Sequence, residues 1–296
     1  MHRRNLLKGA LLGATCFAVR PALTLAAGAD ANAGTGRAAA RLVALERRYG
    51  GRLGVAILDT GSGRQATHRG DERFLMCSTA KLLAVAAVLA RVDHGAQRLD
   101  RRIVFGREAL LSYAPVTRQH VGAPGMSVAE LCQAAIEVSD NTALNLLLTS
   151  LGGPATVTAF ARQLGDEVTR LDRFEPDLNL GAPGDVRDTT TPSAMLATMR
   201  KLLLGDVLAE ASRKHLLDWL RACITGTDKL RAGLPAGWTA GDKTGSGSHG
   251  ESNDVAICFP PQREPLLVTA YYAAPDAEPS TRSAVLAEVG RIAASI

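Results

Sequence analysis

A serine hydroxyl is a poor nucleophile near neutral pH and needs a base beside it. Ser78-Thr79-Ala80-Lys81 sets a serine and a lysine three residues apart, which on a helix puts them on one face about a turn from each other. The start of such a helix also offers unpaired backbone N–H groups that can hold a developing oxyanion. A serine cap followed by a surface lysine has the same spelling, and common residues generate such a tetrapeptide on the order of once per chain of this size. Taken alone, the tetrapeptide favours that cap reading; the setting of Lys81 weakens it. The segment from Ser78 to Val92 is otherwise apolar nearly all round, and an ammonium buried there is costly unless it is paired.

Two further clusters carry the right residue types. Ser139-Asp140-Asn141 lies between helical segments and alone reads as a helix cap. Lys243-Thr244-Gly245-Ser246 ends a strand that enters a glycine-rich turn, and alone it is a plain strand end. A given tripeptide occurs by chance in about one chain in twenty of this size, so all three in this order argue against coincidence. A fourth cluster, Arg173-Phe174-Glu175-Pro176-Asp177-Leu178-Asn179, sits in the stretch 172–190, which holds Pro176, Pro183, Gly181, Gly184 and four aspartates. So long an irregular loop in a compact domain is usually functional rather than a solvated acidic excursion. The Glu175–Pro176 bond is a candidate cis peptide.

The elements that must position these groups follow from periodicity. A helix is expected over 38–49, with Leu42, Leu45 and Tyr49 on one stripe, after an Ala- and Gly-rich tail over 30–39. Strands are expected at Leu53–Asp59 and from Arg64 to His68, joined by the turn Gly61-Ser62-Gly63. The middle of the chain is helical: Ser78–Val92, Ser127–Glu137 with Ser127 and Glu130 spaced as a capping box, and Thr142–Ser150. Helices resume at Pro192–Leu204 and Glu210–Cys223. Strands return at Trp238–Thr244, Asn253–Phe259 and Leu266–Tyr272, before a last helix at about Arg282–Ala294. The pattern implies an α+β fold in two domains. An antiparallel five-stranded sheet flanked by terminal helices is built from 34–69 and 222–296, and an all-α domain from 70–221, with the site at their interface.

The chain has 296 residues and a formal charge of +5, but Arg3, Arg4, Lys8 and Arg20 carry four of those charges with no acid among the first 29 residues. The nearly neutral remainder gives no electrostatic reason to expect nucleic acid or an anionic membrane as partner. Residues 1–29 read as an export signal: a basic start, an apolar run from Leu6 to Val19 too short to span a bilayer comfortably, then the small residues Ala26 to Ala29. The adjacent arginines resemble a twin-arginine signal, which implies a periplasmic or secreted protein. Cys16 raises lipid attachment as a lesser alternative, since Gly13-Ala14-Thr15 lacks the usual leucine. Cys77, Cys132, Cys223 and Cys258 show no CxxC pair and read as small buried hydrophobes rather than a zinc site.

Ser-x-x-Lys, Ser-Asp-Asn and Lys-Thr-Gly in this order resemble the motif set of class A β-lactamases and penicillin-binding proteins. The resemblance runs from about residue 40 to the C-terminus and includes Tyr113-Ala114-Pro115-Val116-Thr117 and Leu151-Gly152-Gly153-Pro154. The Arg173–Asn179 segment is similar to the omega loop of class A β-lactamases, which penicillin-binding proteins lack. The resemblance implies roles. Ser78 is the nucleophile, Lys81 or Glu175 takes its proton, and Ser139 passes a proton to the departing nitrogen. Glu175 and Asn179 hold the hydrolytic water, and an Arg173–Asp188 salt bridge pins the loop. Lys243, Thr244, Gly245 and Ser246 receive the substrate carboxylate, Asn141 the acylamide, and Tyr113 walls the cleft. Backbone N–H groups of Ser78 and Ser246 form the oxyanion hole. The Ser78 hydroxyl and the Glu175 carboxylate must then face one cavity with room for one solvent molecule. No metal or organic cofactor is implied, the substrates are penicillins and cephalosporins, and a monomer is expected.

Some positions depart from the family pattern. Ser252 stands where some members carry an arginine for the carboxylate, leaving Lys229 or Arg282 as candidate substitutes. Cys77 matches one half-cystine of class A carbapenemases, but Gly247 occupies its partner position; Cys132 matches another, but Val85 stands opposite. Neither bridge should form. The rival readings are a penicillin-binding D,D-peptidase and a β-lactam sensor that stays acylated, and neither needs Glu175 and Asn179.

Overall fold

The computed structural model of the protein describes residues 24–182 and 184–296. The export-signal reading therefore lies outside the described residues over 1–23, as does Cys16. In chain order the elements are α1 (Thr24–Tyr49), β1 (Arg52–Asp59), β2 (Gln65–His68), β3 (Phe74–Leu75), α2 (Ala80–Asp93), β4 (Arg102–Ile103), β5 (Met126–Ser127), α3 (Val128–Glu137), α4 (Asn141–Leu151), α5 (Ala155–Gln163), β6 (Thr189–Thr190), α6 (Pro192–Leu204), α7 (Glu210–Arg221), β7 (Thr239–Ser246), β8 (Glu251–Phe259), β9 (Leu266–Ala273) and α8 (Pro279–Ala293).

Five strands form one antiparallel sheet in the order β2-β1-β9-β8-β7. Its long strands are buried on both faces because alternate side chains meet different layers. On one face Leu53, Val55, Ile57, Val268 and Tyr272 pack with Leu42 and Leu45 of α1 and Val285, Leu286, Val289 and Ile292 of α8. On the other, Ala56, Leu58, Val255, Ile257, Leu267 and Tyr271 join a larger core around α2 and the helices of the chain's middle. β7 is a sheet edge, so its end is free to line a cleft.

Helix α2 runs through the centre, with every residue from Ala80 to Ala90 buried, as its all-round apolar sequence requires. Ser127 caps α3 through the expected reciprocal box with Glu130, and Asp140 caps α4 by accepting from the Ala143 amide. Three expectations are corrected. The tail read over 30–39 is part of α1. Ser78 does not begin the long helix; it sits in a single 3₁₀ turn, Cys77–Thr79, that feeds α2. Helix α5 had no counterpart in the sequence reading, since its first turn carries the β-branched Thr156, Val157 and Thr158, which lower helix propensity. The stretch 172–190 is irregular apart from a 3₁₀ turn at Asp177–Asn179. Its end is tied down where β6 pairs with β3 just ahead of Ser78.

Candidate active site

The 3₁₀ turn delivers Ser78 to a cleft of about 540 Å³ that Tyr113, Ser139, Asn141, Asn179, Thr244, Gly245 and Ser246 also line. Two non-glycine residues beside the chemistry adopt left-handed backbone angles, Cys77 at φ 48° and Ser139 at φ 59°. Such conformations persist only where surrounding contacts enforce them. Asn253 of β8 supplies part of that enforcement, since its Nδ2 donates to the carbonyls of Leu75 and Met76 at 2.9 and 3.1 Å. Gly245 matters for the same reason. A Cβ there would fall 2.8 Å from the Met76 carbonyl oxygen and 3.2 Å from the Ser78 amide nitrogen, so only glycine lets β7 run against the Ser78 turn.

Lys81 is wholly buried and is the hub of the site. Its Nζ donates to Ser78 Oγ at 2.7 Å, Glu175 Oε1 at 2.8 Å and Asn141 Oδ1 at 2.7 Å, and lies 3.0 and 3.2 Å from the carbonyl oxygen and Oγ of Ser139. Burial holds its pKa below the ordinary lysine value, while the adjacent Glu175 carboxylate pulls the other way. A lysine so placed can both accept and release a proton. Lys243, at the other end of the Ser139 hydroxyl, lies 3.1 Å from Ser139 Oγ and 3.0 Å from the Thr244 carbonyl oxygen. Burial, aided by the positive charge of Lys81, lowers its pKa to about 8. Ser139 Oγ thus bridges two buried amines.

Glu175 enters from the loop. Asn145 of α4 clamps its backbone, donating Nδ2 to the Glu175 carbonyl and accepting the Glu175 amide, both at 2.9 Å. The Glu175–Pro176 peptide is cis, as the sequence suggested, and Asn179 Nδ2 donates to Glu175 Oε2. The loop is pinned by Asp188, which is fully buried and accepts from the amides of Asp172 and Arg173 at 2.7 and 3.0 Å and from Arg173 Nε at 2.5 Å. The expected salt bridge is therefore present. Ser78 Oγ donates directly to Glu175 Oε1 at 3.4 Å. The two groups are thus brought together as expected, but the contact leaves no space for a solvent molecule between them, and the Glu175 side chain is wholly shielded. Asn179 Oδ1 is buried and has no hydrogen-bond partner among the described residues.

The rest of the cleft is assembled from long-range contacts. Tyr113 is half exposed, with its hydroxyl donating to the Val138 carbonyl at 3.2 Å and its own carbonyl accepting the Asn141 amide at 3.1 Å. Asp140, read only as a cap, also accepts from the amides of Val116 and Thr117 at 3.0 and 2.9 Å, so it holds the Tyr113 loop against α4. Lys229 and Arg282 both line the cleft. Lys229 Nζ donates to Ser252 Oγ at 3.0 Å, whereas Arg282 Nη1 donates to the carbonyls of Ala274 and Ala277. Cys77, Cys132, Cys223 and Cys258 are buried free thiols. Asn145 and Asn253 carried no sequence signal, since each acts on a segment distant in the chain.

Residues 37–296 match the Beta-lactamase enzyme family. The chain is 48% identical over 252 residues to beta-lactamase CTX-M-8 of Citrobacter amalonaticus, covering 85% of this chain and 86% of that one. It is 51% identical over 254 residues to beta-lactamase FAR-1 of Nocardia farcinica, covering 86% and 81%. Among solved structures, an ancestral (GNCA) class A β-lactamase superposes with a TM-score of 0.85 at 62% identity, covering 86% of this chain and 98% of that one. A putative class A enzyme from Rhodopseudomonas palustris gives 0.84 at 53%, covering 86% and 98%. The Ser78 turn, the buried lysine beside it and the carboxylate-bearing loop thus occur in a chain that belongs to the class A serine β-lactamases, hydrolases of the β-lactam amide.

Proposed function

We propose that this β-lactamase opens penicillins and cephalosporins through an acyl-enzyme on Ser78, released by a water that Glu175 activates. The observation that carries this reading is the Glu175 carboxylate oxygen, 3.4 Å from Ser78 Oγ and 2.8 Å from Lys81 Nζ, with the Asn179 amide donating to the other carboxylate oxygen. A water held by that carboxylate in the acyl-enzyme lies next to the ester carbonyl. A D,D-peptidase or a permanently acylated sensor has no use for such a position.

In acylation Ser78 Oγ attacks the lactam carbonyl. Lys81 Nζ at 2.7 Å and Glu175 Oε1 at 3.4 Å are both within reach of its proton, which ends in the Lys81–Glu175 pair whichever group takes it first. The oxyanion meets the backbone N–H groups of Ser78 and Ser246, each such donor contributing on the order of 3 kcal/mol. Ser139 Oγ gives its proton to the departing lactam nitrogen and is resupplied from Lys81. Lys243, Thr244 and Ser246 hold the substrate carboxylate, Asn141 binds the acylamide, and Tyr113 closes one wall. In deacylation Glu175 draws a proton from the water attacking the ester, and the Lys81–Glu175 pair returns a proton to Ser78 Oγ as the ester bond breaks. No step calls for a metal or organic cofactor.

The two-domain division at 34–69 with 222–296 against 70–221 belongs to the same proposal. So does export to the periplasm or medium under a signal within residues 1–29, as a monomer. The test is turnover of a chromogenic cephalosporin followed well past one equivalent. Steady hydrolysis is expected, and a single stoichiometric burst that then stops would overturn the hydrolytic reading.

A further inference from the structure

Asp242 on β7 and Asp254 on β8 are both wholly buried, and no step of the reaction uses either. Cross-strand pairing sets Asp254 opposite Thr244 and Asp242 opposite Ala256. The two aspartates are therefore diagonal neighbours on one face of the sheet, within side-chain reach of each other. Each gives one oxygen to the 3₁₀ turn Leu230–Gly233. Asp242 Oδ1 accepts from Arg231 Nε, and Asp254 Oδ2 accepts the Leu230 amide at 3.1 Å. The other oxygen of each, Asp242 Oδ2 and Asp254 Oδ1, is buried with no hydrogen-bond partner among the described residues. Helix α8 closes over the turn, and Gly290 permits it, since a Cβ there would come 2.3 Å from the Leu230 carbonyl oxygen.

We propose that Asp242 and Asp254 hold one proton between them, carried on Asp254 Oδ1 and donated to Asp242 Oδ2, and that this acid pair locks the turn beside Lys229. Charge and hydrogen bonds count the same way. Two ionised carboxylates would leave two buried acceptors empty, which is costly, and would set two negative charges against the single guanidinium of Arg231. The neighbouring ammonium groups are engaged elsewhere, Lys229 Nζ with Ser252 Oγ and Lys243 Nζ with Ser139 Oγ and the Thr244 carbonyl. The thiols of Cys223 and Cys258 lie near the pair, but a thiol is a weak donor and neutralises no carboxylate. One added proton removes the excess charge and fills both empty positions with a single bond. Asp242 keeps its charge because Arg231 is bonded to it, whereas Asp254 has only an amide. Burial and the negative charge of Asp242 push Asp254 well above the ordinary carboxylate range. With Leu230 and Arg231 both held, Lys229 next to them keeps its place on the cleft wall.

The first test is the infrared spectrum of the unsubstituted full chain at pH 7. It is expected to show the C=O stretch of a protonated carboxyl, shifted in D2O and absent from Asp254→Asn. No such band in the unsubstituted chain overturns the proposal even if no variant folds, and a band that persists in Asp254→Asn overturns it too. Asparagine at 254 can donate to Asp242 and accept the Leu230 amide, but it cannot ionise. The folded parent keeps a proton that the unfolded chain gives up above the ordinary 3.8, so the parent loses stability as pH rises from that value. The urea midpoint of Asp254→Asn minus that of the parent is therefore expected to grow between pH 5 and pH 8. A constant difference overturns the shared proton. Amide hydrogen exchange reads the lock. Protection of the Leu230 amide is expected to persist in Asp254→Asn and to fall about tenfold in Asp254→Ala, the loss of one buried hydrogen bond. Equal protection in the two variants overturns the positioning role. None of these readings requires turnover, so failure of the hydrolytic reading is seen separately, in the chromogenic assay.

Discussion

Lys81 and Glu175 form an ion pair of 2.8 Å whose two side chains are completely shielded from solvent. A pair so deeply buried is weak support for stability, because desolvation offsets most of its attraction. Its persistence next to Ser78 Oγ is better explained by proton transfer, with one partner holding the proton that the other needs.

Replacing Glu175 with glutamine keeps the shape of the side chain and removes its basicity. Acylation should survive through Lys81, while deacylation should slow about a hundred- to ten-thousandfold, the usual contribution of a general base. Mass spectrometry after brief exposure to a penicillin should find the chain carrying one penicilloyl group. Rapid steady turnover by this variant would remove Glu175 from the deacylation step.

The lowered pKa of Lys243, about 8, gives the alkaline limb of activity a cause. If Lys243 receives the substrate carboxylate as proposed, losing its ammonium above that pH should raise KM for carboxylate-bearing substrates through pH 8 while kcat holds. Lys243→Arg, which stays charged, should move the limb upward. The stability sign is opposite. The folded chain binds fewer protons at this site than the unfolded chain between about 8 and the ordinary 10.5, so Lys243 makes unfolding free energy increase with pH across that window. Below it the cost of the buried charge is complete. Denaturant titrations of the parent and Lys243→Met at pH 7 and pH 9 would check this, with the gap between the two proteins expected to shrink at the higher pH.

Arg173 and Asp188 hold the loop from opposite ends. Removing Arg173 leaves a fully buried carboxylate with only two backbone N–H donors. Stranding one partner of a buried pair costs about 3–5 kcal/mol. Arg173→Ala should therefore lower the melting temperature by several degrees. It should also slow deacylation more than acylation, because Glu175 rides on this loop and Ser78 does not. Single-turnover kinetics would resolve the two steps, and equal losses in both would contradict a role confined to the loop.

The contrast between these residues marks what the sequence can disclose. The spacing of Ser78 and Lys81 and the apolar setting left a weak local trace, and the Pro- and Asp-rich stretch marked a functional loop, but Glu175 itself was singled out only by the resemblance to the family motif. The strands were legible as β-rich runs set off by Gly/Ser- or Pro-rich turns, even though β1, β8 and β9 are buried on both faces and show no alternation. Asn145 and Asn253 left no trace, since each does its work by gripping backbone far away in the chain. Nor does any residue type announce that Cys77 and Ser139 must adopt left-handed angles. That requirement comes from β7 and α4 closing on the nucleophile, which is a property of the assembled fold. Helix α5 was hidden for a different reason, because its β-branched first turn argues locally for strand or loop and packing overrides it.

Lys229 and Arg282 were equal candidates for the missing arginine, and their contacts now divide them. Lys229 Nζ reaches Ser252 Oγ, the very position the arginine would occupy, at 3.0 Å. Arg282 spends donors on the carbonyls of Ala274 and Ala277, which ties down the approach to α8. Lys229→Ala should therefore raise KM for carboxylate-bearing substrates about tenfold, the loss of one charged contact. Arg282→Ala should reduce thermal stability with a smaller effect on KM. The reverse pattern would reassign the carboxylate contact to Arg282.

The thiol of Cys77 offers a geometric test of the turn beside the nucleophile. A Cβ at Gly247 would stand 3.1 Å from Cys77 Sγ, close to the separation a disulfide needs, but 2.3 Å from Glu251 Oε2. Glu251 is held there, because its Oε2 accepts the His249 amide at 2.9 Å. Gly247→Cys alone should consequently stay reduced, with five thiols titrating in the denatured chain beyond residue 29 instead of the native four. Gly247→Cys combined with Glu251→Ser clears the space and should oxidise in air to three thiols and one bridge. If the single variant closes the bridge as readily as the double, Glu251 is not what keeps position 247 open, and the packing inferred around the β7–β8 turn is wrong.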